Sequence, residues 1–192
     1  MGGCAEESDA TAQNLLGLRY KLGIGAPQDD KEAVKWFRMS AEQGDAVAQS
    51  NLGFMYAKAQ DNKEAVKWYR KSAEQGNAVA QSNLGDMYMN GTGVPQDYKE
   101  AVKWFRMSAE QGSAPGQSNL GAMYYHGTGV PQDYKEACAW WSVAKANGQE
   151  NGQELAEKNL GIVIKEMTNE QIAEAQSLAT EISKRIEANK KH

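Results

Sequence analysis

Few side chains in this sequence stand in a pattern that could support catalysis. Its 192 residues include two cysteines, Cys4 and Cys138, and two histidines, of which only His126 lies away from the chain end. A nucleophile requires a base within hydrogen-bond reach, and a zinc site requires several Cys or His ligands at short spacing. Neither pattern is present in the sequence. We therefore expect no enzymatic activity, no cofactor and no metal site.

Composition argues against two further classes of function. The chain is 41% hydrophobic, and no apolar run approaches the roughly 18 residues of a transmembrane helix. Its formal net charge is −4, so it lacks the broad positive field that holds nucleic acid. We expect neither a membrane span nor a nucleic-acid partner, whereas cytoplasm and bacterial periplasm are both compatible with the composition.

The first residues leave two interpretations open. Gly2, Gly3 and Cys4 resemble the cleavage point of a bacterial lipoprotein, which would place a lipid anchor on Cys4. The favoured interpretation is a disordered segment over residues 1–8.

The elements that position all other side chains come from a repeat. The run KEAVKWFRMSAEQG occurs at 31–44 and again, unchanged, at 99–112. Because a block of about 36 residues cannot bury its own apolar face, it must stack on its neighbours. Alignment gives four repeats at 9–44, 45–76, 77–112 and 113–148, then a partial fifth repeat and a capping helix over 149–192.

Each repeat predicts an antiparallel pair of helices, A and B. Helix A begins at a capping residue, and helix B begins at an aspartate followed three residues later by a glutamate. A mid-helix glycine costs about 1 kcal/mol relative to alanine, so its recurrence predicts close approach of helix B. Another glycine ends helix B. These residues are Asp9, Asp45, Asn77 and Ser113 (A caps), Asp29, Asp61, Asp97 and Asp133 (B caps), Gly17, Gly53, Gly85 and Gly121 (mid-helix), and Gly44, Gly76 and Gly112 (B ends).

The motifs A-x-A-Q-x-N-L-G-x-M-Y, G-x-G-V-P-Q-D and A-x-x-W-x-x-x-A-x-x-G together resemble the Sel-one-like repeat family, a relative of tetratricopeptide repeats. The resemblance covers residues 9–148. It implies an all-α fold, a right-handed α-solenoid of antiparallel helix-turn-helix repeats closed by C-terminal capping helices. It also implies adaptor roles in bacterial signalling, host interaction and protein quality control, without identifying a partner.

The repeats depart from their own pattern in three places. Tyr56 to Lys63 spans four residues fewer than Tyr88 to Lys99, so the second repeat has lost its Gly-x-Gly-Val-Pro turn. We expect a shorter A–B connection there and a local change in curvature. Cys138 replaces a valine of the earlier repeats, which predicts a core residue. Because residues 1–8 provide no helix over the first repeat, further chain or another subunit would have to cover it.

The C-terminal segment predicts a helix that closes the stack. Thr168 and Gln171 form a capping-box pattern. An apolar face follows at helical spacing, made of Ile172, Ala175, Leu178, Ala179, Ile182 and Ile186.

Positions that vary between repeats are free to specialise in binding. On helix A the variable positions lie three or four residues apart and therefore share one face, which lines the concave side in related solenoids. We expect these residues either to contact a partner or to pack on the neighbouring repeat. The candidates are Phe54, Asp86, Met89, Tyr125 and His126.

An asparagine recurs once per repeat on the same side of helix A. Such a ladder of amides could bond the backbone of an extended peptide, or each amide could satisfy backbone groups of its own loop, the interpretation we favour. The residues are Asn51, Asn83 and Asn119, with Asn159 in the partial fifth repeat.

The sequence favours a protein-interaction adaptor that binds a peptide or helix of another protein on the concave helix-A face. The alternative is an immunity-type inhibitor that binds and neutralises a bacterial toxin. An enzyme is disfavoured, because the cysteine pairs of the hydrolase-like relatives are absent here. Partner identity and oligomeric state are left open.

Overall fold

The structure is a computed structural model that describes residues 9–190. Over this range it contains ten α-helices, one short 3-10 helix at Ile164–Glu166 and no β-strand. The helices are α1 Ala10–Leu22, α2 Asp30–Glu42, α3 Ala46–Lys58, α4 Asn62–Glu74, α5 Ala78–Asn90, α6 Tyr98–Glu110, α7 Ala114–His126, α8 Tyr134–Asn147, α9 Glu150–Val163 and α10 Asn169–Asn189.

The helices fall into two compact units. The first unit holds residues up to 80 together with 92–94, and the second holds 81–91 together with the chain from Pro95 onward. In the first unit α1 packs on α2 and α3 on α4; in the second, α7 packs on α8, which also contacts α9 and α10. Short connections make sequential helices antiparallel neighbours. The predicted all-α repeat architecture is confirmed. The predictions for residues 1–8, including an anchor on Cys4, lie outside the described residues.

Helix starts follow the capping predictions with one exception. Asp29 accepts hydrogen bonds from the backbone N–H groups of Lys31 and Glu32, Asp97 and Asp133 do the same in their repeats, and Asp61 accepts from Glu64 alone. Among helix A caps, Ser113 makes no side-chain capping bond, so that prediction is wrong. The other helix A caps accept from the third helical N–H, and the equivalent donor, Gly116, is present here, so nothing in the structure explains the missing bond.

The glutamate of the helix B capping pattern does not complete a capping box, contrary to the prediction. Glu64 pairs with Lys67, at 3.1 Å from Oε1 to Nζ, and does not reach back to Asp61. The Asp61 N–H is already bonded to the Tyr56 carbonyl at the end of helix A, at 3.0 Å or less, as in the other repeats. A complete capping box is confirmed at Thr168 and Gln171.

The mid-helix glycines lie against aromatic rings of helix B in the same repeat. A Cβ atom on Gly53 would lie 2.7 Å from Tyr69 Cδ1, and one on Gly121 would lie 2.7 Å from Trp141 Nε1. Gly17 and Gly85 face Phe37 and Phe105 in the same way. The predicted close approach is confirmed, and an overpacked Cβ here would cost about 1–3 kcal/mol.

The ends of the helices also match the sequence. The predicted helix B stops, Gly44, Gly76 and Gly112, have φ angles of 98°, 91° and 87°, in the left-handed region that favours glycine. The second repeat has the predicted shorter connection, residues 59–61, where the fourth repeat uses residues 127–133.

Helix α10 covers the core of the second unit. Its buried residues Ala179, Ile182 and Ile186 pack with Trp140 and Val143 of α8. The capping role predicted for this segment is therefore confirmed within the second unit. Cys138 is a core residue as predicted, and its burial raises the pKa of the thiol, which disfavours the reactive thiolate.

Candidate functional site

A groove opens in the second unit between the first turns of α7 and the connection from α8 to α9. Its volume is about 910 Å³, within the range of ligand and peptide sites. It is lined by Ala114, Pro115, Ser118, Asn119, Asn147, Gly148, Gln149, Glu150, Asn151, Gly152 and Leu155.

Local hydrogen bonds shape this groove. The Gly148 N–H donates to the Ala144 carbonyl at 2.8 Å, which closes the last turn of α8. The side chain of Gln153 then donates to the Gly148 carbonyl at 2.8 Å and holds the start of α9 against that turn. As a result, Leu155 of α9 lies at the groove wall with 52% of its surface exposed. The groove combines an apolar wall with polar backbone at its edge.

Asn119, a predicted contact residue, lies at the groove and bonds to another candidate. Its Nδ2 donates to Oδ1 of Asp86 at 3.1 Å. Burial raises the pKa of Asp86 from 3.8 to about 6, while the hydrogen bond from Asn119 opposes that rise. The pair therefore joins helix A of the third repeat to helix A of the fourth. Near pH 6 it changes charge.

Tyr125 and His126 lie at the end of α7 and contact each other. Their ring centroids are 4.9 Å apart in an edge-on arrangement. Tyr125 also lies 5.5 Å from Tyr134 and 5.6 Å from Trp141, and it is half-buried against the hydrophobic cluster around them. His126 is exposed. Tyr125 thus packs in part on helix B of its own repeat, whereas the sequence left open contact with a partner or packing on the neighbouring repeat.

Met89 and Asn83 lie on α5 in the second unit. Met89 is half-buried and packs against the cluster that contains Phe105 and Leu120. Asn83 is half-buried. Met89 therefore also packs on the core. From its position on helix A, this long side chain reaches the cluster that contains Phe105 of helix B.

Phe54 and Asn51 lie in the first unit, on α3. Phe54 is 45% exposed, and the Lys21 ammonium lies 4.2 Å from its ring centroid. Such a cation–π contact is worth about 0.5–1 kcal/mol at an exposed site. Of the three large apolar candidates, Phe54 is the one that the core leaves exposed.

Two of the recurring asparagines bond to a side chain of the preceding repeat. Asn51 Nδ2 donates to Oδ1 of Asn14 at 3.0 Å, and Asn119 donates to Asp86. Both amides bond to a side chain on helix A of the preceding repeat instead of to their own loop. Asn159 is half-buried on α9.

Sequence reasoning missed the groove residues Pro115 and Leu155. A signal for the first was available, since Pro115 and Gly116 replace the Val-Ala pair found at 47–48 and 79–80. A signal for Leu155 was not, because its exposure depends on where α9 begins relative to α8.

Two properties of the described part of the chain bear on the class of the site. Between residues 9 and 190, no three or more His, Cys, Asp or Glu side chains are placed to hold a metal ion. None of the helices described above combines the length and apolar character needed to cross a bilayer.

The Sel1 repeat profile matches four consecutive segments, residues 10–45, 46–77, 78–113 and 114–149. This chain belongs to the Sel1-repeat family. The matched segments fall one residue after the repeats expected from the sequence. Because the match covers well over half of the chain, the family resemblance inferred from the motifs is confirmed.

Solved structures of Sel1-repeat proteins are similar to this chain over nearly its whole length. The protective antigen c5321 of uropathogenic Escherichia coli, which displays an SLR fold, is 36% identical with a TM-score of 0.89, covering 95% of this chain and 39% of its own. A Sel1 repeat protein from Oxalobacter formigenes is 32% identical with a TM-score of 0.76, covering 96% and 76%.

A viral sequence is also related. The sel1-like repeat-containing protein L21 of Acanthamoeba polyphaga mimivirus is 42% identical over 52 residues, which is 27% of this chain and 10% of L21. This chain thus spans a minor part of the length of c5321 and of L21.

Proposed function

We propose that this chain binds a peptide or helical segment of another protein along the helix-A face, with the groove beside Asn119 as its main contact. Sel1-repeat proteins are in general protein-interaction scaffolds. The observation that carries the proposal for this chain is the groove of about 910 Å³ with exposed Leu155 on its wall.

The chemistry of the groove suits an apolar anchor flanked by a polar backbone. Ala114, Pro115 and Leu155 supply apolar surface, and a large side chain of the partner would remove Leu155 from water. Fully burying a leucine contributes about 1.5–3 kcal/mol. Residues 147–152 also line the groove, and the N–H groups of the first turn of α9 would donate to an extended or helical segment.

Two of the remaining candidate residues, Asp86 and Phe54, could each contribute a single contact to a partner. Asp86 carries a negative charge above about pH 6, and its second oxygen can accept a bond from a partner. In the first unit, Phe54 presents an exposed ring beside the Lys21 charge. Exposed aromatic groups of this kind are enriched at interaction sites.

The test is an affinity capture with the full chain immobilised and native lysate of the source organism. Leu155→Glu places a charge on the groove wall, and we expect it to release the bound partner. Ile162→Glu is the matched control, because Ile162 lies on the same helix α9 with 42% exposure and does not line the groove. Circular dichroism of both variants checks that they fold.

Each outcome is informative. Loss of the partner from the Leu155→Glu protein with retention by the Ile162→Glu protein supports the groove. Equal retention by both variants contradicts the groove, and a further loss in Phe54→Ala would then place the contact in the first unit. Absence of any partner under gentle salt would contradict the adaptor proposal itself.

The immunity-type inhibitor is the alternative proposal. The immunity protein Pa5087 of Pseudomonas aeruginosa is 18% identical with a TM-score of 0.55, covering 93% of this chain and 70% of Pa5087. At that identity the likeness concerns the fold alone. A secreted toxin encoded next to this gene, bound tightly and inactivated by the purified chain, would favour the alternative over a general adaptor.

A further inference from the structure

The A–B loops of the third and fourth repeats rest on the preceding repeat. A Cβ atom on Gly93 would lie 2.3 Å from the carbonyl oxygen of Asn62, and one on Gly129 would lie 2.4 Å from that of Tyr98. Asn62 and Tyr98 are the first residues of α4 and α6. Each full-length loop therefore covers the start of the preceding helix B, and only glycine fits at the point of contact.

The second repeat lacks this loop, so the start of α2 is left uncovered. Asp30 is the first residue of α2 and the equivalent of Asn62 and Tyr98. A cavity of about 480 Å³ opens beside it in the first unit. The cavity is lined by Asp30, Lys31, Val34, Met55, Lys58 and Ala59. Its position matches that of the loop that covers α4 and α6.

The side chains of this cavity define what could fill it. Lys58 Nζ lies 2.7 Å from Oδ2 of Asp30, and this ion pair offsets the charge of the carboxylate. The other oxygen, Oδ1, is closed to solvent, so an occupant of the cavity does not reach it. The cavity therefore offers an occupant mainly apolar contact, at Val34 and Met55, beside a charge-balanced pair.

We propose that this cavity binds a turn-forming segment of a partner protein, with glycine at the contact point followed by a small aliphatic residue and proline. In the fourth repeat, Val130 of the loop packs on the cluster that contains Val102, the equivalent of Val34, so an aliphatic side chain is expected beside Val34. The segment takes the place of the missing loop. This site belongs to the first unit and the helix-A groove to the second, and the two share no lining residue, so it does not depend on the function proposed above.

The conformation of the segment follows from the chain's own loops. Gly91 and Gly93 have φ angles of 66° and 75°, and Gly127 and Gly129 have 64° and 73°. Two left-handed glycines thus bring the backbone flat against the first residue of a helix. Val130, the residue after the second glycine of the fourth repeat, packs against a hydrophobic cluster. A partner segment of this composition presents the same surface.

The probe is a synthetic, end-capped peptide with the sequence of residues 90–96, Asn-Gly-Thr-Gly-Val-Pro-Gln. Titrated into the full chain labelled at methyl groups, it should shift the NMR signals of Val34 and Met55 and leave Val163, in the second unit, unchanged. A matched peptide with valine in place of its second glycine should bind at least tenfold more weakly, because its side chain would clash with the helix start.

A loop-restored protein provides the second arm. Replacing residues 59–61 with Gly-Thr-Gly-Val-Pro-Gln-Asp gives the second repeat the connection found at 91–97, and this variant should lose peptide binding at least tenfold while keeping its circular dichroism. Equal binding by the restored protein, or no shift at millimolar peptide, would overturn the proposal. Dimerisation that is inhibited by the peptide and prevented by Ile24→Ser would also overturn the proposal. The occupant would then be a second copy of this chain, bound through its exposed loop at Ile24.

Discussion

The second and fourth repeats are built from the same pair of helices, but one face of helix B is exposed in the second and covered by α10 in the fourth. In the second repeat, Lys67 of α4 is exposed and pairs with Glu64, and Lys71 lies 4.4 Å from the ring centroid of Trp68. In the fourth repeat, the same two positions of α8 hold Ala139 and Val143, both buried under α10. The outer face of helix B is therefore a solvated stripe in one repeat and a packing surface in the other.

Removal of the lysine also changes the tryptophan beside it. Trp68 Nε1 is buried without a hydrogen-bond partner among the described residues, whereas Trp140 Nε1 donates to Glu136 Oε2 at 3.0 Å. Glu136 is free to accept because alanine stands where Glu64 finds its lysine. The comparison teaches that a helix is adapted to burial by a few coupled changes on one face, while its caps and glycine contacts stay the same.

The largest expected effect comes from reversing the adaptation of α8. Ala139→Lys would place an unpaired charge under α10, and we expect the free energy of unfolding to fall by about 3–5 kcal/mol. Lys67→Ala, the matched change in the second repeat, removes an exposed ion pair and should alter it by less than about 0.5 kcal/mol. Guanidinium denaturation followed by circular dichroism measures both. Similar small changes in the two variants would show that α10 does not cover α8.

The loops provide the next comparison. Gly129→Ala should cost about 3 kcal/mol, because the new Cβ combines a left-handed φ of 73° with a contact 2.4 Å from the Tyr98 carbonyl. Gly25→Ala has a similar φ of 74°, but its Cβ meets only the movable end of Arg19, so about 1 kcal/mol is expected. Thermal unfolding of the pair measures the difference. Equal losses would mean that the loop of the fourth repeat does not rest on α6.

The recurring asparagine is paired with an amide in the second repeat and with a carboxylate in the fourth. Asp86→Asn gives the fourth repeat an amide partner as well, although Asn14 stands one turn earlier on its helix than Asp86 does. Because the pKa of Asp86 is raised to about 6 in the folded state, folding favours the protonated form, and stability falls as pH rises from about 4 to 6. After discounting for partial exposure, the variant should gain about 1–2 kcal/mol at pH 8.

The pH dependence of this stability difference provides the control. The advantage of Asp86→Asn over the wild type should disappear as the pH falls through 6 to about 4, where the wild-type carboxyl is protonated. Urea denaturation at pH 4 and pH 8 measures it. An advantage that is independent of pH would mean that burial does not raise the Asp86 pKa.

The smallest expected effect concerns the tryptophan bond. Glu136→Ala leaves the Trp140 N–H without its acceptor and should destabilise by about 1 kcal/mol. Glu64→Ala removes only the exposed pair with Lys67 and should cost less than about 0.5 kcal/mol. Denaturation followed by tryptophan fluorescence compares the two. A larger loss of stability in Glu64→Ala than in Glu136→Ala would contradict a stabilising hydrogen bond from Trp140 to Glu136.

The predictions that succeeded from sequence concern contacts within one repeat. Asp97 caps the helix that follows it, and Gly85 meets Phe105 of the same repeat, so both are encoded locally. Asn119 and Asp86 are 33 residues apart, and their bond depends on the stacking of two repeats. The groove required still more, since Leu155 faces it only because α9 starts close to the end of α8.

The contact between glycine and ring has a consequence for how this gene changes over generations. Each such contact joins two helices of one repeat, as Gly53 and Tyr69 do, so gain or loss of a whole repeat leaves every remaining contact intact. The runs at 31–44 and 99–112 are identical, so one repeat sequence serves at two places in the stack. A repeat can therefore be added or lost as a unit, and binding surfaces can be lengthened without a new helix pair having to evolve.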